Sequence, residues 1–178
     1  MKTVWLILLL FLFVGSLPVS AQKKNSKEEK AARLEEAFQK TQVLVKSNHF
    51  KINIDRVYTQ SGQDVSRFNP SGEIIITDSV AKGNLPFFGR AYSLPYGEGG
   101  GIEFDGPVKD RSILEKKKKK ALIYQFSVAG GNDTYQFNID IAPSGGCTVN
   151  LMSNNRAYIS YSGSVSPLEE KDSTHSTH

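Results

Sequence analysis

The chain has 178 residues, with 22 Lys and Arg against 18 Asp and Glu and a formal net charge of +4. So small an excess does not build the basic field on which nucleic-acid binding rests. One cysteine and three histidines rule out an intramolecular disulfide framework and leave few routes to a metal site or a nucleophile–base pair.

Residues 1–21 read as a cleavable secretory signal peptide. Lys2 supplies the positive start, residues 4–14 are an unbroken apolar run, Gly15 and Pro18 break any helix, and Val19, Ser20 and Ala21 suit signal peptidase. The run is short of the roughly 20 apolar residues that span a bilayer. Gln22 stands where a lipoprotein would carry cysteine. An uncleaved anchor is the competing reading, with only Lys23 and Lys24 in its favour. The expectation is a periplasmic or secreted protein without a stable membrane anchor after cleavage, whose fold rests on its hydrophobic core alone.

Residues 22–48 are expected to form an N-terminal linker and helix. Ser26 can cap it, Glu28 and Glu29 occupy its first turn, and Ala31, Leu34, Phe38, Leu44 and Val45 recur near helical spacing. Lys30, Arg33, Glu36 and Lys40 take the opposite, wet face.

From Phe50 the period changes to two: Phe50, Ile52 and Ile54 alternate with Lys51, Asn53 and Asp55. The same alternation runs through Leu122, Tyr124, Phe126 and Val128, and through Tyr135, Phe137, Ile139 and Ile141, with a hairpin connection at 129–133. Further strands are expected near 73–78, 101–104, 112–116, 147–152 and 157–162. Strands in succession without helices between them indicate an antiparallel sheet. The predicted fold class is therefore α+β, mostly β: an N-terminal helix packed on an antiparallel sheet of about seven or eight strands, forming a small barrel or a sandwich. The β domain covers 49–165 and makes one domain with the helix. Residues 166–178 are polar and are expected to be a disordered tail.

The segment 84–104 places Phe87, Phe88, Tyr92 and Tyr96 among glycines and prolines. Two readings stay open for it. In one it is a recognition surface, with Arg90, Tyr92, Tyr96 and Glu98 as ligand-binding candidates, the tyrosines offering flat faces and hydroxyls and Arg90 a fork of donors. In the other the aromatics plug one end of the sheet and Arg90 satisfies internal acceptors. Gly97, Gly99, Gly100 and Gly101 do not make a phosphate loop, because a strand pattern and not a helix follows them. Glu98, Glu103 and Asp105 are close in sequence, and paired carboxylates about 5–9 Å apart can hydrolyse glycosides. That makes a hydrolase the third reading, although no catalytic residue is assigned. The five lysines of 116–120 are read as solvated charge that discourages edge pairing, with contact to anionic lipid or glycan as the alternative. Cys147 alternates with Val149 and Leu151 and is expected to be a buried, inert thiol. His49 stands alone in the folding part, and His175 and His178 belong to the tail, so no metal and no cofactor is expected.

Leu85, Pro86, Phe87, Phe88, Gly89, Arg90, Ala91 and Tyr92, then Pro95, Tyr96 and Gly97, then Gly101, Ile102, Glu103 and Phe104, together resemble a family of exported Bacteroidetes proteins, domain of unknown function 4251. The likeness continues to Ile159, Ser160, Tyr161, Ser162 and Gly163. It implies a signal peptide, a helix and a β-rich domain in a Gram-negative host, and brings no activity with it. Where the family motif has tyrosine this chain has Phe87, which removes one hydroxyl from the segment. The sequence thus points to a non-enzymatic exported domain that binds a small molecule, glycan or envelope component through 84–104, with a structural or protein-interaction module of the envelope as the alternative.

Overall fold

The computed structural model describes residues 20–66, 71–92 and 100–168, with side chains from residue 26 onward. Most of the predicted signal peptide, Tyr96, Glu98 and the tail beyond 168 lie outside the described residues. The chain divides into a unit ending at Leu34 and a unit beginning at Glu35.

Helix α1 (Ser20–Lys46) is under way before Ser26, so Ser26 is an interior residue and not the expected cap. In the first unit its described turns are exposed, with Glu29 and Arg33 paired at 2.6 Å one turn apart. Ala31 and Leu34, expected in the apolar stripe, face out, Leu34 with 45% of its surface exposed. In the second unit Phe38, Thr41 and Val45 are buried at helical spacing. The Thr41 hydroxyl donates to the Pro143 carbonyl at 2.8 Å and Lys120 pairs with Glu35 at 2.7 Å. The helix stops where Asn48 takes a left-handed φ of 52° and its N–H bonds the Val45 carbonyl at 3.3 Å. Asparagine tolerates that conformation better than most residues.

Nine strands follow: β1 (His49–Tyr58), β2 (Gly72–Thr77), β3 (Val80–Leu85), β4 (Ile102–Pro107), β5 (Lys109–Lys116), β6 (Ala121–Gly130), β7 (Asp133–Ile141), β8 (Gly146–Met152) and β9 (Ile159–Pro167). They form one antiparallel sheet in the order β4-β3-β2-β1-β9-β8-β7-β6-β5. Its two edge strands, β4 and β5, are consecutive in sequence and separated by Val108 alone. The sheet must therefore curl until its edges meet, which settles the choice between barrel and sandwich in favour of a nearly closed barrel. Val108 N–H bonds the Ser79 carbonyl at 2.7 Å and Arg111 donates to the Asp78 carbonyl, holding the corner between the edge strands against the β2–β3 turn. Across the seam Gly130 of β6 lies so close to β4 that an added Cβ would stand 2.6 Å from the Glu103 carbonyl oxygen.

The inward positions of the strands fill the interior, β5 contributing only the partly buried Ile113. Phe126 and Phe137 stack at 4.7 Å, Phe104 leans on Phe137 at 5.2 Å, and Phe50 meets Tyr124 edge-on at 5.5 Å. Tyr124 keeps its hydroxyl satisfied on Asn48 Oδ1 at 3.1 Å. Cys147 faces this core as expected; burial, and secondarily the charge of Asp55, pushes its thiol up to about 12. A bulge where β1 passes from Ile54 to Arg56 shifts the phase of burial, so that Val57 and not Arg56 turns inward. The strand β3 was not among those expected from the sequence. β9 pairs as far as Pro167, past the expected start of the tail.

Candidate functional site

The segment after β3 is pinned across one end of the barrel. The Tyr161 hydroxyl, inside the core, donates to the Pro86 carbonyl at 2.9 Å. Burial pushes that phenol's ionisation well above its ordinary range, and the nearby Arg156 charge pulls the other way. Phe87 packs against the core with its ring under the Arg156 guanidinium, whose central carbon is 5.1 Å from the ring centroid. The next turn folds back over that ring: a Cβ on Gly89 would lie 2.6 Å from Phe87 Cζ, so only glycine fits there without displacing the ring. Two backbone bonds to the β8–β9 loop complete the fastening, Ala157 N–H to Arg90 O at 2.9 Å and Tyr92 N–H to Asn155 O at 2.7 Å.

Fastened this way, the segment divides its side chains. Phe87 is turned in and packs, partly buried, against the core. Phe88, Arg90 and Tyr92 are turned out, Tyr92 with 63% of its surface exposed and Phe88 with 39%. Among the described residues no acceptor engages the Arg90 guanidinium. Of the four sequence candidates, Arg90 and Tyr92 are both exposed on this segment, whereas Tyr96 and Glu98 fall outside the described residues.

Arg156 was not singled out from the sequence. It is 5% exposed, is aligned on the segment through a bridge with Ala91, and reaches the Gly100 carbonyl at 3.4 Å. Its N–H is held by Ser153 Oγ at 3.0 Å. One signal was available: it is the only charged residue between Asp140 and Glu169.

The third reading concerned acids near 98–105. Glu103 and Asp105 are two residues apart on the outer face of β4 and border a groove of ≈ 480 Å³ with Glu73, Lys82 and Asn84. Asp105 is engaged by Lys82 of β3 at 3.0 Å, both side chains being mostly exposed. This is a cross-strand ion pair on a wet sheet face. Among the described residues no group of three or more His, Cys, Asp or Glu is placed to hold a metal ion.

A family model described as "Domain of unknown function (DUF4251)" matches residues 32–165. The chain belongs to this family. It is the family expected from the sequence, and the match takes in most of α1, all of the strands β1 to β8 and the greater part of β9. The fold of this DUF4251 domain is similar to a crystal structure of a DUF4251 family protein from Bacteroides eggerthii, with a TM-score of 0.54 and 21% identity over 74% of this chain and 87% of the other. No curated protein matches the chain. In the DUF4251 domain the lysine run is a short 3₁₀ turn, Lys117–Lys119, between β5 and β6. Its flanks are neutralised, Lys116 by Asp140 at 3.3 Å and Lys120 by Glu35, while the middle three lysines stay exposed. No helix among the described residues is long and apolar enough to cross a membrane.

Proposed function

We propose that this protein is an exported, non-enzymatic recognition domain, periplasmic or secreted, that binds an acidic small molecule or an acidic group on an envelope glycan through the ridge of Phe88, Arg90 and Tyr92. The observation that carries the reading is the division of labour in the fastened segment. Phe87, Gly89 and the backbone bonds to Asn155 and Ala157 fasten the backbone, and the exposed side chains on it are those of Phe88, Arg90 and Tyr92. A guanidinium gives paired donors to a carboxylate or phosphate, and flat rings cover a sugar or an apolar body. Rigid presentation lowers the entropic cost of binding. Export is supported by the pattern of residues 1–21.

The test is thermal stabilisation of the purified protein by fractionated envelope extracts, run beside Arg90→Ala and Tyr92→Ala. A fraction that raises the Tm of the wild type and of neither variant supports the reading. No shift from any fraction, or an equal shift in all three proteins, counts against it. A second reading, a protein-interaction module, is favoured by β5, an edge strand exposed along most of its length with Leu114 uncovered. Such an edge accepts a partner strand, and crosslinking in the native envelope through Leu114→Cys would capture that partner.

A further inference from the structure

We infer that the outer face of β5, β6 and β7 carries a second binding site, for a neutral sugar, distinct from the ridge at the barrel end. The register lines up Ser112, Gln125, Asn138, Asn150 and Ser160 as one outward row across five strands. Beside this row is a groove of ≈ 380 Å³, within the size range of small-molecule sites. Asp110 is its only charged lining residue.

Three features of the groove go beyond an ordinary wet sheet face. The first is Asn138, whose side chain lines the groove and makes no hydrogen bond among the described residues, its Oδ1 being buried without a donor; buried polar groups are nearly always satisfied, so a carboxamide left without partners is unusual on a sheet face. The second is how the neighbouring amides are oriented. Gln125 Oε1 accepts from Ser112 Oγ at 3.1 Å, and Asn150 Oδ1 accepts from the Tyr158 hydroxyl at 2.6 Å and from Ser160 Oγ at 3.1 Å. With their oxygens occupied, both amides keep their NH₂ donors uncommitted among the described residues. The third is a β5 bulge between Lys109 and Ser112, in which Asp110 takes a left-handed φ of 53° and its carboxylate accepts from the buried Ser127 hydroxyl at 2.9 Å. A bulge that re-aims one side chain at the cost of backbone strain is a device found beside binding sites.

Each hydroxyl of a pyranose both donates and accepts. Asp110 accepts, the amide NH₂ groups of Gln125 and Asn138 donate, and exposed Met152 supplies an apolar wall. An anion would meet the Asp110 carboxylate, and a cation would find one carboxylate among uncharged amides. A vicinal diol uses both kinds of group at once.

The probes are methyl glucoside, methyl galactoside and chitobiose, titrated into the ¹⁵N-labelled protein with glycerol and glucuronate as controls. Saturable shifts of the Gln125, Gln136 and Asn138 side-chain amides with at least one neutral sugar, at a Kd of about 1 mM, and not with the controls, are expected. Asn138→Leu should weaken binding about tenfold or more while melting no lower than wild type, because it removes an unpaired polar atom. Asp110→Asn, which tolerates the left-handed backbone, should weaken binding with the fold intact. Arg90→Ala should leave sugar binding unchanged, so this site and the ridge fail independently. The inference is overturned by no saturable shift with any neutral sugar at about 20 mM, by shifts that persist in both groove variants, or by a marked loss of Tm in Asn138→Leu, which would show the carbonyl to be structurally bonded.

Discussion

Gly163→Ala places a methyl group where β9 crosses the β1 bulge, and the geometry there leaves it no escape. Its Cβ would stand 2.0 Å from the Asn53 carbonyl oxygen, 3.0 Å from the Asn53 carbonyl carbon and 3.2 Å from Ile54 Cα. All three are backbone atoms, so no side-chain rotation relieves the contact. Carbon and carbonyl oxygen rest at about 3.3 Å or more, so the strands must part by more than an ångström at the Ile54–Gly163 pair. That strains the neighbouring Asn53–Ser164 pair as well. An overpacking cost of about 1–3 kcal/mol and one or two weakened ladder bonds give roughly 2–4 kcal/mol, or a Tm lower by about 10 °C for a domain of this size. Gly146→Ala is the matched control: it sits in β8, its φ is unexceptional, and nothing lies within 4 Å of its Cβ. It should be neutral or slightly stabilising, by up to about 1 kcal/mol, because alanine restricts the unfolded chain. Urea and thermal denaturation of both variants measure the difference. If Gly163→Ala melted within about 2 °C of Gly146→Ala, the close approach of β1 and β9 would be refuted.

Three further outcomes follow from buried polar groups. Tyr161→Phe leaves the Pro86 carbonyl without its donor and should cost about 1–2 kcal/mol; limited proteolysis should then cut within 86–101 sooner than in wild type. Thr41→Val keeps shape but loses the bond to Pro143 and should cost about 1 kcal/mol in urea. The Cys147 thiol is raised from 9.0 to about 12 in the fold, so above pH 9 the unfolded chain releases a proton that the native state keeps. Stability should fall as pH rises from 9 towards 12, by up to about 1.4 kcal/mol per pH unit from this group, and Cys147→Ala should remove that part of the slope; a native thiol that reacts readily with a disulfide reagent at pH 8 would contradict the burial.

The strands that could be read from the sequence are those with large apolar residues at alternate positions, as in Tyr135, Phe137, Ile139 and Ile141. β3 escaped because its inward positions are Ala81, Gly83 and Leu85. Gly83 is small for a reason found elsewhere in the chain, since Phe104 of β4 occupies the space its side chain would take. Period-two counting sees one strand at a time and cannot register a side chain borrowed from a neighbour. The β1 bulge defeats counting in another way: alternation continued past Ile54 would bury Arg56, and the bulge buries Val57 instead. Tertiary structure, and not local preference, decides both cases. Along α1 the apolar spacing is genuine in sequence, yet Ala31 and Leu34 stay exposed in the first unit, whereas Phe38 and Val45 enter the core of the second.

Barrels that carry ligands inside leave their interior unfilled. Here Phe50, Phe104, Tyr124, Phe126, Tyr135 and Phe137 occupy it, and the grooves of ≈ 480 and ≈ 380 Å³ open on outer strand faces. A ligand would therefore meet the outside of this fold, where a sheet position is ordinarily free to be any polar residue. The informative residues are those that depart from that freedom: Arg156, a charge buried to hold the segment 86–92; Gly89, required by the ring beneath it; Asp110, held at a left-handed φ; and Asn138, with a buried oxygen lacking a partner. Arg156 and Gly89 belong to the packing that fastens the backbone on either side of Arg90. Asp110 and Asn138 lie on a different face and remain unexplained by packing. That separation is why one barrel supports two independent binding tests, and why a result at one site leaves the other standing.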